Sequence, residues 1–226
     1  MSHEADTAGA EGSVTARRDG AVLRITLDRP ARRNALTHLM IGALVDTLTH
    51  AAHRVIELVA SVQLPVVCSV QGWAVGFGCN LALAADFTVA ATDAVFWEPF
   101  VDRGFSPDSG STWLLPRLVG LARARRMLLL GEKVSATDAA DWGLIHQAVS
   151  RPQLDDAAER LLDRLASGPT VAIGLAKQAL AFGQHATLSQ SMTQELFNLE
   201  LSCRTTDFKE GLEAFQQKRA PKFYGR

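Results

Sequence analysis

The chain has 226 residues, of which 47% are hydrophobic, and its 23 Lys and Arg residues are balanced by 24 Asp and Glu residues. This length allows one substantial core, and the near-zero net charge argues against nucleic acid or a membrane as the main partner. Three cysteines at wide spacing fit neither a disulfide framework nor a metal site. With no apolar run of membrane-spanning length and a polar segment at 1–12, we expect a cytoplasmic protein with a flexible tail over 1–12.

Two short runs of strand-forming residues follow the tail, at 13–18 and 21–27. The pair Asp19-Gly20 between them is a strong hairpin signal, so we expect two paired strands. Farther on, apolar residues recur at helical spacing and predict one helix from about 38 to 62.

The segment 64–91 has the pattern of a strand, a tight turn and a helix. A dense apolar run at 64–70 predicts a strand buried on both faces, and a glycine-bearing turn follows at 74–78. A helix is predicted over 79–85 and another strand over 87–91. Such a turn directs free backbone N–H groups and the positive end of the helix dipole at one point, which suits the stabilisation of an oxyanion.

The remaining sequence is mostly helical in its periodicity. Helices are predicted over 113–119, 122–130, 136–142, 154–166, 170–182 and 188–201. No internal repeat or low-complexity linker divides the chain. We therefore predict an α/β core over 13–150 and a helical extension over 151–226.

The most informative block contains PVVCSVQGWAVGFGCNLALAAD from Pro65 and AVFWEPFVDRGFSPDSGSTWLLPRLVG from Ala94. This block resembles the crotonase family, also called the enoyl-CoA hydratase/isomerase family. Further similarity lies at Asp28-Arg29-Pro30, 33–36, 131–144 and 206–219. The resemblance implies a spiral of strand–strand–helix units, a C-terminal trimerisation region, a homotrimer or homohexamer, and an acyl-CoA or enoyl-CoA thioester as ligand. It implies no cofactor beyond the coenzyme A of the substrate.

By this resemblance, the backbone N–H of Phe77 is a donor of the oxyanion hole, at a position where the family usually has glycine. A backbone donor does not depend on the side chain, although the phenylalanine ring alters the acyl pocket. For an isolated Gly-x-Gly turn, close packing of strand on helix would be the simpler interpretation.

Family hydratases use two glutamates for general acid/base chemistry, and this chain has Asn80 and Phe100 at those positions. Neither side chain can transfer a proton. A third acidic position is occupied by Asp108, which in isomerase-like branches faces the acyl chain, so it is the best candidate base. The alternative for Asp108 is an Asx-turn or helix N-cap before 111–115.

Two further acids, Glu98 and Asp102, flank Phe100. Strand alternation would point Glu98 the same way as Phe100 and toward the site, but we favour solvent exposure for both acids. Trp97 and Trp113 could line an acyl pocket, although aromatic residues in such runs are more often part of the core.

The resemblance places the adenine and phosphates of coenzyme A near Arg29, Arg33 and Ala35, and basic side chains suit phosphates. It also maps Phe215 and Lys218 of a neighbouring subunit onto the nucleotide end of the ligand. Without the resemblance, these basic residues would be assigned to a solvated face. No metal site is expected, because the helical pair His50 and His53 has no third ligand in reach by spacing.

The resemblance fails at one place, between His53 and Arg54. Family members carry about 45 more residues there, including a strand and the turn with the other oxyanion donor. Either the chain is naturally truncated or the sequence lacks a segment. The second explanation is favoured, because deletion of a central strand would leave backbone groups unpaired in the core.

The preferred function is therefore double-bond isomerisation of an enoyl-CoA, of the kind used in fatty acid metabolism, with Asp108 moving a proton between the α and γ carbons. One alternative is an enoyl-CoA hydratase, a lyase, in which a displaced acid such as Glu98 substitutes for the usual pair. The other is a non-catalytic acyl-CoA-binding protein, which the loss of both glutamates favours.

Overall fold

The computed structural model describes residues 13–19, 22–28 and 54–226. It divides into two compact units. The first, here called the core unit, comprises the described residues up to Ala60 together with Val67–Ala158, and the second, the C-terminal unit, comprises Ser61–Val66 and Glu159–Arg226. In the described part of the chain, no helix is long and apolar enough to cross a membrane.

The predicted hairpin is present in the core unit. Strand β1 (Ser13–Asp19) pairs antiparallel with β2 (Val22–Asp28). Asp19 pairs with Val22, so this aspartate belongs to the strand and not to the turn where we expected it.

Two three-stranded sheets form the rest of the core unit. The first has the order β3 (Val67–Val70), β5 (Phe87–Ala91), β8 (Gln147–Val149), with all neighbours parallel. The second has the order β4 (Trp73–Val75), β6 (Val95–Trp97), β7 (Val134–Ser135), with β4 parallel and β7 antiparallel to β6. From β3 to β6 the chain alternates between the two sheets, β7 stays in the second sheet and β8 returns to the first, which agrees with the α/β spiral that the sequence predicts.

Helices of the core unit connect these strands. They are α1 (Arg54–Ser61), α2 (Phe77–Leu83), α3 (Ser111–Leu130) and α4 (Ala136–Asp141). Gly120 interrupts α3 with φ 73° and ψ 164°, a conformation that a side chain disfavours, so the two helices predicted over 113–119 and 122–130 are two arms of one broken element. The core between these elements contains Phe96, Leu115 and Met127, all fully buried.

Some predicted bounds were wrong around the turn. The strand expected over 64–70 is confined to Val67–Val70, where Ser69 is exposed, so it is not buried on both faces throughout. Part of the expected turn is the short strand β4. Helix α2 begins at Phe77, two residues earlier than predicted, because Gly76 alone makes the reversal, with φ 53° and ψ −119°.

Helices also account for most of the C-terminal unit. After α5 (Leu154–Ala166) come α6 (Thr170–Gly183), α7 (Leu188–Cys203) and α8 (Thr206–Gln216). The buried Lys177 of α6 donates to the carbonyl of Leu64 at 3.1 Å. The carboxylate of Asp207, also buried, accepts from the backbone N–H groups of Tyr224 (2.7 Å) and Gly225 (2.8 Å), which fixes the following segment onto α8.

Candidate active site

The glycine turn between β4 and α2 is held at both ends by backbone hydrogen bonds. The N–H of Gly76 donates to the carbonyl of Trp97 in β6 at 2.9 Å, and the carbonyl of Gly76 accepts from the N–H of Asn80 at 2.9 Å. Phe77 is the first residue of α2, so its N–H has no acceptor within the helix, and no backbone carbonyl of the described residues accepts from it. This N–H is available to a ligand, as an oxyanion donor must be.

Asp108 lies on the loop before α3 with an exposed side chain. Its Oδ1 accepts from the hydroxyl of Ser109 at 2.7 Å, while its backbone carbonyl accepts from the N–H (3.1 Å) and the hydroxyl (3.0 Å) of Ser111. The N-cap of α3 is Gly110, and no side chain caps this helix. The capping alternative for Asp108 was therefore wrong, and its carboxylate is held by Ser109 alone among these contacts.

Asn80 and Phe100, at the positions that the resemblance assigns to the two glutamates, are both buried in the core unit. The amide Nδ2 of Asn80 donates to the carbonyl of Asp108 at 3.5 Å, so this helix residue adjoins the Asp108 loop. Phe100 packs edge to face on Phe105, with ring centroids 5.4 Å apart. The position that the resemblance assigns to the second glutamate therefore holds an aromatic side chain that packs on another aromatic ring.

Glu98 is fully buried, and the expectation of solvent exposure was wrong. Strand β6 ends at Trp97, so alternation along a strand does not decide where Glu98 points. Neither carboxylate oxygen has a well-aligned hydrogen-bond partner among the described residues, although the thiol of Cys79 lies beside the carboxyl. Burial raises the pKa of Glu98 from 4.5 to about 8; the Cys79 thiol opposes this rise and the negative charge of Asp108 adds to it.

The sequence already contained a signal for this burial. Glu98 stands in the run Phe96-Trp97-Glu98-Pro99-Phe100, and these apolar neighbours indicate a segment that packs into the core. The supporting contacts of Ser109 and Ser111 around Asp108 were not predicted, because they depend on the local loop conformation.

The remaining candidates near the site lie farther toward the surface. Asp102 is exposed, as expected. The partly buried Trp97 donates from Nε1 to the carbonyl of Gly131 at 2.9 Å, and its ring lies edge to face with Trp73. Trp113 is 40% exposed with the guanidinium of Arg117 4.2 Å from its ring centre, so the expectation of a core position was wrong for this tryptophan.

Only some of the residues assigned to coenzyme A lie in the described part of the chain. Arg29, Arg33 and Ala35 lie outside the described residues, as do the histidine pair and the junction at His53. Phe215 and Lys218 belong to the C-terminal unit, where both are exposed, and Phe215 is 83% exposed. The two assignments in the C-terminal unit therefore stay predictions. No cluster of metal-ligating side chains occurs among the residues with described positions.

Comparison with known proteins shows which family this chain is similar to. A sequence model described as enoyl-CoA hydratase/isomerase matches residues 50–226. The chain is 42% identical over 171 residues to the 1,2-epoxyphenylacetyl-CoA isomerase of Escherichia coli; the match covers 76% of this chain and spans 65% of that relative's length, slightly less than two thirds. It is 32% identical to the 2,3-dehydroadipyl-CoA hydratase of the same organism, covering 92% of this chain and 97% of that relative.

Among solved structures, the chain is similar to an enoyl-CoA hydratase from Bacillus anthracis, with a TM-score of 0.86 and 27% identity over 96% of this chain and 100% of that one.

The match to the dehydroadipyl-CoA hydratase runs over 248 aligned positions, whereas 92% of 226 residues is about 208, so roughly 40 positions of the alignment have no residue from this chain.

Proposed function

Since the chain belongs to the enoyl-CoA hydratase/isomerase family, we propose that it is an enzyme of acyl-CoA thioesters whose preferred reaction is double-bond isomerisation of an enoyl-CoA. The observation that carries this proposal is the exposed carboxylate of Asp108 on a loop whose backbone carbonyl accepts from Asn80 of α2. The positions that the resemblance assigns to the two glutamates hold Asn80 and Phe100. One such carboxylate suffices to carry a proton from one carbon to another, whereas hydration also needs a group that activates water.

In the proposed reaction, the thioester carbonyl of a 3-enoyl-CoA accepts from the N–H of Phe77. Asp108 removes a proton from the α carbon, and the electron pair of that C–H bond moves into a dienolate whose oxygen is stabilised by the N–H donor, by about 3 kcal/mol. The same proton is then delivered to the γ carbon, giving the 2-enoyl-CoA and restoring the carboxylate. Ser109 holds Asp108 in one orientation during both transfers.

The test is chromatographic analysis of 3-enoyl-CoA and 2-enoyl-CoA after incubation with the purified full-length protein. Conversion of the 3-enoyl to the 2-enoyl ester without hydroxyacyl-CoA is expected. Asp108→Asn should lower kcat by about 10²–10⁴-fold with acyl-CoA affinity nearly unchanged. Asp93→Asn, which alters an exposed aspartate paired with Arg151, is the matched control and should keep the wild-type rate. Equal rates in Asp108→Asn and wild type would refute the assignment.

A hydratase is the second candidate, and the burial of Glu98 favours it. Glu98 lies close enough to Asp108 for the two charges to interact, so the site contains two carboxyl groups as a hydratase site does. In that case the same chromatographic assay yields 3-hydroxyacyl-CoA from the 2-enoyl ester. Tight acyl-CoA binding with no product from either ester would instead support a non-catalytic binding protein.

The proposed assembly is a homotrimer or homohexamer in the cytoplasm, formed through the C-terminal unit. Supporting this, helix α7 exposes several large apolar side chains, and exposed apolar patches commonly mark protein interfaces. They include Leu188, Met192, Leu196 and Phe197, between 55% and 77% exposed. Light scattering coupled to size-exclusion chromatography should give three or six times the monomer mass, and a monomer at micromolar concentration would contradict the proposal.

A further inference from the structure

Three buried side-chain polar atoms of the described residues have no well-aligned hydrogen-bond partner, and they belong to two residues of the candidate site. They are Oδ1 of Asn80 and both carboxylate oxygens of Glu98. A buried polar atom without a partner is costly, so such atoms are rare in folded proteins. Their occurrence in two residues that both adjoin Asp108 indicates that this cluster has a chemical role.

Helix α2 brings the two residues and Asp108 together. The thiol of Cys79 lies beside the Glu98 carboxyl, and the next residue of the helix, Asn80, donates from Nδ2 to the carbonyl of Asp108 at 3.5 Å. Glu98 and Asp108 therefore adjoin successive residues of α2. Oδ1 of Asn80 lacks a donor and a protonated Glu98 lacks an acceptor, so the two groups can satisfy each other.

The protonation state of Glu98 follows from its surroundings. Among the described residues, the titratable groups that act on Glu98 are Cys79 from α2 and Asp108 from the loop before α3. Two nearby carboxyl groups do not both ionise readily, and the buried one keeps its proton because water cannot stabilise its charge. Burial raises the pKa of Glu98 to about 8, while Asp108 is exposed and accepts from Ser109.

We propose that Glu98 is a positioning residue of the active site, whose uncharged carboxyl donates a hydrogen bond to Oδ1 of Asn80. This inference rests on the proposed isomerase function. The bond fixes the Asn80 amide, whose other end contacts the Asp108 loop. A carboxylic acid kept neutral beside an ionised carboxylate base suits chemistry that passes through a dienolate. Ionisation of Glu98 removes the donor and places a second negative charge near that dienolate, so kcat falls.

The first experiment measures kcat and KM for 3-enoyl-CoA isomerisation between about pH 6 and 10. Wild-type kcat should fall by about tenfold per pH unit above about pH 8. In Glu98→Gln this alkaline fall should disappear, while kcat at pH 7 and KM stay close to the wild-type values, because the glutamine amide still has an N–H donor for Asn80 and does not ionise. Glu200→Gln, at an exposed glutamate of the C-terminal unit, is the control and should keep the wild-type profile.

The second experiment needs no turnover. The infrared difference between wild type and Glu98→Gln at pH 7 should contain the carbonyl band of a protonated carboxyl, which titrates away near pH 8. In an Asp108→Asn background, the midpoint of that titration should shift to lower pH, because the neighbouring negative charge is gone.

Each outcome decides the proposal. A missing band at pH 7, an unshifted midpoint in the Asp108→Asn background, or an unchanged alkaline fall in Glu98→Gln would overturn it. If the band and its shift are present but the wild type converts no enoyl-CoA, the isomerase function fails and the catalytic use of Glu98 fails with it, whereas the coupled pair of acids stands.

Discussion

Replacement of Glu98 by glutamine should stabilise the folded protein, and the gain should grow as the pH rises. The carboxyl has a pKa of about 8 in the folded chain against an ordinary value of 4.5. Between these values the folded state holds a proton that the unfolded state releases, so rising pH favours unfolding by about 1.4 kcal/mol per unit. From pH 4.5 to pH 7 this group therefore costs the wild type about 3 kcal/mol, and glutamine, which does not ionise, avoids that cost.

Urea denaturation followed by circular dichroism at pH 5, 6 and 7 measures this effect. The difference in unfolding free energy between Glu98→Gln and wild type should be small at pH 5 and reach about 2–3 kcal/mol at pH 7. Other titrating groups cancel because both proteins share them. A difference that stays constant across this range would show that Glu98 ionises in the folded protein as it does in the unfolded chain, and would refute the reasoning.

Three further predictions concern backbone geometry, a buried carboxylate and thiol reactivity. Gly76→Ala should lower the free energy of unfolding by about 1–3 kcal/mol, because φ of 53° disfavours a side chain, and should lower kcat by displacing the turn. An unchanged melting temperature and an unchanged kcat would contradict this. Asp207→Asn should lower the free energy of unfolding, measured by thermal denaturation, by about 2–3 kcal/mol, because one of the two backbone N–H donors to Asp207 loses its acceptor. Iodoacetamide at pH 7.5 should label Cys203 first, because burial raises the pKa of Cys68 to about 11 and also raises that of Cys79; mass spectrometry showing prior labelling of either would contradict this.

Much of the secondary structure was predictable because its signals are local. The strand Phe87–Ala91 and the helix Leu154–Ala166 have the bounds that their apolar patterns predict. Strands β4 and β6 were not predicted, because each has only three residues and takes its partner from a distant part of the chain. No periodicity can be read from three residues.

A sequence motif indicates candidate site residues, whereas the packing around them cannot be read from it. The assignments of Phe77 and Asp108 come from the sequence block that resembles the family, and they stay predictions. The burial of Glu98 depends instead on α2 and on the loop before α3, which sequence spacing does not bring together. The assignments of Arg29 and Arg33 remain predictions, since both residues lie outside the described part of the chain.

The alternation of the chain between two sheets has a consequence for synthesis on the ribosome. Strand β5 has β3 on one side as soon as it emerges, but its other edge pairs with β8 only after α3, β7 and α4 have also been made. Until then Val89–Ala91 present unpaired backbone groups beside an apolar sheet, which is the situation that favours association with other chains. We therefore expect a nascent chain that pauses within α3 to bind chaperones, and fragments that end before Gln147 to aggregate.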